Sequence, residues 1–355
     1  MARILASAYR RLYEARNYRL RSLAGGRWAG SCRPIGIAIL VTERCNARCV
    51  HCDIWKNRGQ EESPGLDRWK QVLGDLRKWL GPVQVTLTGG EALLRPFTPE
   101  LVAHGTSVGL FMEVLTHGYW PDQARIASLA LAKPWRVTVS LDGLGETHTR
   151  IRGRRNFFEH SSATLRTLQR IRRERRLDFT ILLKNVLMEH NLHAACEVAR
   201  FAQENELEVF YQPIEQNYNT PDDPRWFETS RNWPKDSTQA VAVVERLIEL
   251  KRAGLPINNS YAQLRAMIPY FRDPDSSRVA TQSHTAHERV RFCAALIHLQ
   301  LQANGDVTNC AGRPPIGNIK TACVRQLWES RPRAWERDCC LQWRCSDAEK
   351  NAASE

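Results

Sequence analysis

Hydrophobic positions along this chain follow two alternating periods. Ile35, Ile37, Ile39 and Val41 stand two apart among small residues, as on a strand, whereas Leu66, Trp69, Val72, Leu73, Leu76 and Trp79 recur at three- and four-residue spacing and share one face of a helix. A strand-like run follows at Val83 to Thr88. Further strands are predicted near residues 110–116, 136–141, 179–186 and 208–213, separated by helical patterns near 121–132, 160–176 and 191–205. Six strand–helix units in succession point to an α/β chain with a parallel sheet and right-handed crossovers. In barrel-like sheets of this kind chemistry gathers at the C-terminal strand ends.

Beyond the last strand, the stretch from Asn219 to Asp236 is rich in Pro and charge. A helix is expected from about Thr238 to Ala253, with Val241, Val244, Leu247, Ile248 and Leu250 on its apolar side, then a short one from Tyr261 to Phe271. Asp273 to Glu288 reads as a loop. These shifts divide the chain into a basic leader (1–34), the strand–helix region (35–218), a helical linker (219–288) and a C-terminal part (289–355).

With 355 residues, 43% of them hydrophobic, the chain can bury a large core. No apolar run approaches the roughly 18 residues of a membrane span, and the N-terminus lacks the apolar region of a signal peptide. The expected location is therefore the cytoplasm, where the 11 Cys are better explained by metal than by cross-links. The net charge of +13 is uneven: residues 1–34 hold eight Arg against a single Glu. With Ile4, Leu5, Ala8, Leu12 and Tyr13 at loosely helical spacing, this leader suggests peripheral contact with an anionic membrane surface. No nucleic-acid-binding motif accompanies the charge, so a nucleic-acid partner is not expected.

The densest chemistry lies in Cys45-Asn46-Ala47-Arg48-Cys49-Val50-His51-Cys52, directly after the first strand. Structural zinc calls for a second, nearby pair of ligands that is missing here, and a disulfide would leave an odd thiol. A 4Fe–4S cube normally takes four thiolates, so three Cys leave one iron open to a small ligand. This C-x3-C-x2-C loop resembles the radical SAM enzymes, with His51 where that family usually has an aromatic residue. The later strand ends extend the likeness. Thr88-Gly89-Gly90-Glu91 resembles the family's GGE motif; by chance such a tripeptide is a tight turn, although two glycines also let backbone approach a ligand closely. Thr116-His117-Gly118 stands where relatives read T-N-G, and Ser140-Leu141-Asp142-Gly143 with Ile151-Arg152-Gly153 resembles a SAM-binding segment.

The resemblance implies a partial (β/α)6 TIM-like barrel with a small C-terminal Fe–S domain. Cys45, Cys49 and Cys52 would hold a 4Fe–4S cluster that binds S-adenosylmethionine (SAM). Gly89, Gly90 and Glu91 would meet the methionine amino group, and Ser140 and Arg152 its carboxylate. Thr116 and Asn185 are further cofactor-binding candidates. Tyr211, Glu215 and Tyr218 are candidate proton or hydrogen-atom partners, although aromatic residues at a strand end more often pack.

The C-terminal part returns to cysteine. Cys293, Gly305 and Cys310 are spaced C-x11-G-x4-C, and Asn304-Gly305-Asp306 marks a tight turn between two short strands. This resembles the opening of the SPASM and twitch extensions of radical SAM proteins, with Cys339, Cys340 and Cys345 as closing ligands. Five candidate Cys match one auxiliary 4Fe–4S cluster better than two.

The expected activity is reductive cleavage of SAM to methionine and a 5′-deoxyadenosyl radical, with electrons from a reductant such as flavodoxin or ferredoxin. The expected substrate is a small, possibly anionic, molecule: a sugar, nucleotide or lipid-linked metabolite. Two alternatives stand beside it. One is a peptide-modifying maturase, disfavoured because the leader is too short for a peptide-recognition domain. The other is a non-catalytic iron–sulfur protein, which accounts for the Cys but not for GGE.

Overall fold

A computed structural model describes residues 2–22, 28, 31–57, 62–221, 223, 225–274, 297–310 and 313–332. Six parallel strands lie side by side in chain order: β1 (Gly36–Thr42), β2 (Gln84–Gly89), β3 (Phe111–Thr116), β4 (Arg136–Ser140), β5 (Thr180–Leu187) and β6 (Glu208–Pro213). Helices α2 (Leu66–Leu80), α3 (Thr98–Ser107), α4 (Ala124–Leu131), α6 (Phe157–Glu174) and α7 (Ala195–Glu204) return the chain between them, and α5 (Gly145–Arg152) precedes α6. The expected partial α/β barrel is present. Its core is the seam between strands and helices, where Trp69, Leu73 and Leu76 of α2 are buried with Ile37, Ile39, Val85 and Leu87.

Two helices escape the periodicity argument. In α3 the apolar face is only Leu101 and Val102 beside Gly105, whose missing Cβ makes room for the Met112 side chain. Pro99 in its first turn, where a lost N–H costs nothing, helps start it. Helix α5 is mostly polar, yet buries His148, Ile151 and Arg152.

The sheet does not end at β1. Strand β7 (His298–Leu301) pairs with β1 in parallel, from Gly36↔His298 to Ile39↔Leu301, and β8 (Asp306–Thr308) and β9 (Gly317–Asn318) follow antiparallel. Gly305, at φ +96°, makes the turn expected at Asn304-Gly305-Asp306. The C-terminal hairpin thus continues the barrel sheet. On the outside, the last helix among the described residues, α11 (Val324–Ser330), sets Trp328 against Trp79 of α2, ring centroids 6.5 Å apart.

At the other edge, residues after the barrel cover β6. Three helices, α8 (Trp226–Thr229), α9 (Ser237–Arg252) and α10 (Tyr261–Arg272), lie there. Asn259 accepts the Tyr211 N–H and donates to the Tyr211 carbonyl, both at 2.8 Å. This pairing satisfies an edge strand that would otherwise expose its hydrogen-bonding groups.

The leader forms α1 (Ala2–Ser22), and one face of it docks on the barrel. The Tyr9 hydroxyl donates to the Leu80 carbonyl, and the buried Asn17 side chain donates to the Arg33 carbonyl at 2.8 Å and accepts from its N–H at 3.2 Å. Ile4 and Leu12 remain exposed. Among the described residues no helix is long and apolar enough to cross a membrane.

Candidate functional site

A cavity of about 270 Å³ opens at the C-terminal ends of β1 to β6. Cys45, Cys49 and Cys52 line one side of it, with Gly89, Gly90, Glu91, Thr116 and Ser140 from the next strand ends and Arg152 from the end of α5. Four motifs separated in sequence therefore meet in one concavity.

Three neighbours staple the cysteine loop. At the end of β2, the N–H groups of Gly90 and Glu91 donate to the carbonyls of Thr42 (2.8 Å) and Arg44 (2.9 Å). A Cβ on Gly89 or Gly90 would fall inside van der Waals contact with those same two carbonyl oxygens, and Gly89 has φ +139°. The glycines are thus required by backbone meeting backbone, a closer need than the ligand approach expected from the sequence. On a second side, the N–H groups of Arg48 and Val50 donate to the carbonyls of Arg152 (3.0 Å) and Ile151 (2.9 Å) at the end of α5. On the third, Tyr218 pairs with Cys52 as a short parallel bridge and accepts the Asp53 N–H at 2.9 Å.

Glu91 is buried and held from two directions: one carboxylate oxygen accepts the Leu93 N–H at 3.1 Å and the other the His117 N–H at 2.8 Å. Burial pushes its pKa up to about 7, against the opposing pull of those N–H donors. His117 fills a structural position. Its Nδ1 accepts the Tyr119 N–H at 2.9 Å, so in the neutral ring the proton sits on Nε2, 2.7 Å from the Asn46 side-chain oxygen. Burial holds this imidazole neutral, with a pKa lowered to about 3.

Arg152 lines the cavity and is paired within the protein through its terminal nitrogens, while its Nε is buried without a hydrogen-bond partner. Its guanidinium forms an ion pair with Asp142 at 2.7 Å and donates to Cys49 Sγ at 3.7 Å. Burial disfavours both charges, but each group outweighs that cost for the other, holding Asp142 below the ordinary carboxylate range and raising Arg152. Asp142 also accepts the Val186 N–H at 3.1 Å, and its own N–H donates to His148 Nδ1 at 3.0 Å. The sequence reading overlooked Asp142; an acid at a strand end ahead of a basic helix was the available signal.

Other candidates separate into two sets. Asn185 does not line the cavity; its amide donates to the Leu141 carbonyl at 2.9 Å. Tyr211 is buried on the helix side, with its hydroxyl on the Ala195 carbonyl at 2.8 Å, so the packing reading holds for it. Lys184, Gln212, Glu215 and Tyr218 do face the cavity. Of the C-terminal cysteines, Cys310 follows β8, while Cys293, Cys339, Cys340 and Cys345 lie outside the described residues.

The donor set suits a thiolate-bound metal cluster. Burial pushes the thiol of Cys45 up to about 12 and that of Cys52 up to about 11, and raises Cys49 too. Three neighbouring thiols that resist ionising by themselves become good ligands once a cationic cluster favours their thiolates.

Comparison with known proteins agrees with this chemistry. Residues 39–195 match the Radical SAM superfamily. The chain is 31% identical over 314 residues to the AdoMet-dependent heme synthase of Methanosarcina barkeri, covering 83% of this chain and 82% of that one. It is 32% identical over 171 residues to the PqqA peptide cyclase of Rhodopseudomonas palustris, covering 48% of this chain but only 44% of the cyclase. It is also 31% identical over 136 residues, 38% of this chain and 33% of the relative, to the sporulation killing factor maturation protein SkfB of Bacillus subtilis. Among solved structures, Streptococcus suis SuiB bound to its precursor peptide SuiA shares the fold, with a TM-score of 0.63 at 15% identity over 84% of this chain and 65% of that one. The small-molecule substrate and partner expected from the sequence are corrected by these relatives, which include a peptide cyclase and a maturation protein. The short leader was a poor guide, because leader length says nothing about what the barrel cavity admits.

Proposed function

The chain belongs to the radical SAM superfamily of enzymes, and on that premise we propose that it modifies a peptide substrate. Similarity to a peptide cyclase across nearly half the chain supports this reading most directly. The open cavity adds to it, since its β5–β6 wall carries Lys184, Gln212, Glu215 and Gln216 beside the cysteine loop. When bound, the cluster and SAM supply the one-electron cleavage that generates the radical. The protein's part is to seat that pair and to exclude water. Cys45, Cys49 and Cys52 hold the cluster, and Glu91 and Ser140 take the polar ends of the methionine portion. Gly89 and Gly90 join the strand end to the loop, and Arg152 keeps Cys49 in place. Cys310 and the C-terminal cysteines are proposed to hold one auxiliary 4Fe–4S cluster.

The direct test is anaerobic incubation of the reconstituted protein with SAM, dithionite and peptides encoded beside its gene. A mass change confined to one such peptide and dependent on SAM is expected. Deoxyadenosine formation without any peptide product would overturn the substrate reading while leaving SAM cleavage intact.

Glu91 sets a pH dependence. Its carboxyl stands near 7 before ligand binds, and an ammonium needs the ionised form. SAM binding therefore costs a proton below that pH, and affinity is expected to fall by up to about tenfold per unit as pH drops. Equilibrium dialysis between about pH 6 and pH 8 measures this, and Glu91→Gln should bind weakly with a flat profile. A steep profile retained by Glu91→Gln would assign the titration to another group.

A further inference from the structure

A second cavity, of about 310 Å³, opens at the other end of the barrel. Gln84, Phe111, Arg136, Thr180 and Glu208 line it, and each is the first residue of its strand, from β2 to β6. It therefore lies at the N-terminal strand ends, whereas the cysteine loop lies at the C-terminal ones, and the two cavities share no lining residue. Phe111, Glu113 and Leu115 leave β3 on one face; Phe111 lines this cavity and Leu115 the other, so Glu113 stands between them. Its buried carboxylate accepts hydrogen bonds from Gln84 (2.6 Å), Thr86 (2.9 Å) and Thr138 (2.6 Å), which makes a floor of paired polar groups. Helix α1 closes one side with Tyr9 and Tyr13, ring centroids 4.7 Å apart, and on the strand side Phe111 and Trp135 meet edge to face at 5.9 Å.

The charges of this lining are already matched. Arg10 pairs with Glu14 at 2.8 Å, Arg136 lies 3.7 Å from Glu113 and 4.1 Å above the Trp135 ring, and Glu208 accepts the Asn258 amide at 2.9 Å. An ionic ligand finds no unmatched counter-charge here, whereas four aromatic rings offer faces and edges to another ring. One polar group is left over: the indole N–H of Trp135 is buried without a hydrogen-bond partner among the described residues, which is unfavourable until an acceptor arrives. We propose that this cavity is a recognition pocket for an aromatic residue of the substrate peptide, distinct from the residue that is modified. This deepens the proposed function and rests on its peptide reading. A neutral ring suits the matched charges, and an oxygen of the peptide can accept the Trp135 N–H. The seven residues of β1 set the two ends of the barrel about 20 Å apart. At about 3.3 Å per extended residue, the recognised residue therefore stands at least about six positions from the modified one.

Ligand-observed NMR on the anaerobically reconstituted protein, with saturating SAM present, tests this with N-acetylated, amidated tripeptides in which tyrosine, tryptophan or leucine stands between two glycines, and with p-cresol. Wild type is expected to bind the aromatic tripeptides roughly 3- to 10-fold more tightly than the leucine one. Trp135→Leu keeps apolar bulk but removes the ring and its N–H, and should erase that preference; Tyr13→Ala, which opens the α1 wall, should reduce it. Cluster absorbance and 5′-deoxyadenosine formation without peptide should be unchanged in both, which establishes that they are folded and loaded; if Trp135→Leu fails that control, Tyr13→Ala carries the comparison. No aromatic preference in wild type, a preference unchanged in the folded variants, or displacement of the aromatic tripeptides by SAM overturns the pocket. p-Cresol binding at least as tightly as the tyrosine tripeptide would assign the cavity to a free aromatic molecule and overturn the peptide occupant. The two readings fail separately: a missing aromatic preference leaves peptide modification intact, and missing peptide modification leaves the aromatic preference measurable.

Discussion

Cys49→Ala is expected to abolish 5′-deoxyadenosine formation. Cys49 is the most enclosed of the three thiols, packed with Ala47 and Phe157, and it is the one that Arg152 reaches. With two ligands left, an open-cornered cluster has no stable seat. Iron analysis adds a second readout. Two 4Fe–4S clusters imply roughly eight irons in wild type, and loss of the N-terminal one should leave about four, with cluster-like absorbance. Undiminished SAM cleavage would remove Cys49 from the ligand set. Loss of all iron would count against the auxiliary cluster.

The second large effect is expected at Asp142, which no cofactor need touch. Asp142→Ala leaves the Arg152 guanidinium buried without its counter-ion and removes the acceptor of the Val186 N–H. Breaking one side of a buried pair costs about 3–5 kcal/mol. The damage should also reach the cysteine loop, because the Arg152 carbonyl carries the Arg48 N–H. Chemical denaturation of the protein, with cluster content measured alongside, tests both consequences, and Asp142→Asn should fall between wild type and Ala. A stability loss below about 1 kcal/mol for the Ala variant would mean that Arg152 finds another partner and that the pair does not anchor the loop.

Much of this site was legible because its chemistry is written in short motifs. The C-x3-C-x2-C loop, GGE and Ser140 each stand at or just past the end of a strand whose apolar residues announce it, and strand ends are where a parallel sheet presents side chains. The direction in which Asn185 faces was not legible for a physical reason. The strand Thr180–Leu187 is buried on both faces, so no polar alternation betrays which of Lys184 and Asn185 looks into the barrel. Only the pairing Ser140↔Lys184 settles that parity. The helices Thr98–Ser107 and Gly145–Arg152 were hidden because short helices with one or two apolar residues are stabilised by what they pack on, not by their own pattern.

The sequence by itself determined the order of strands and helices and the thiol set, because apolar periodicity and cysteine spacing are local properties of the chain. Tertiary structure alone decided how the charges are partnered. Arg152 reads as a lone basic residue in sequence, yet it shares its charge with Asp142 ten positions earlier, once the turn into Gly145–Arg152 brings the two within 2.7 Å. Lys184 looks incidental in sequence, yet it is left facing the cavity beside Ser140. A side chain's availability depends on its neighbours in space, and those are set by strand register and helix docking, which no local pattern records.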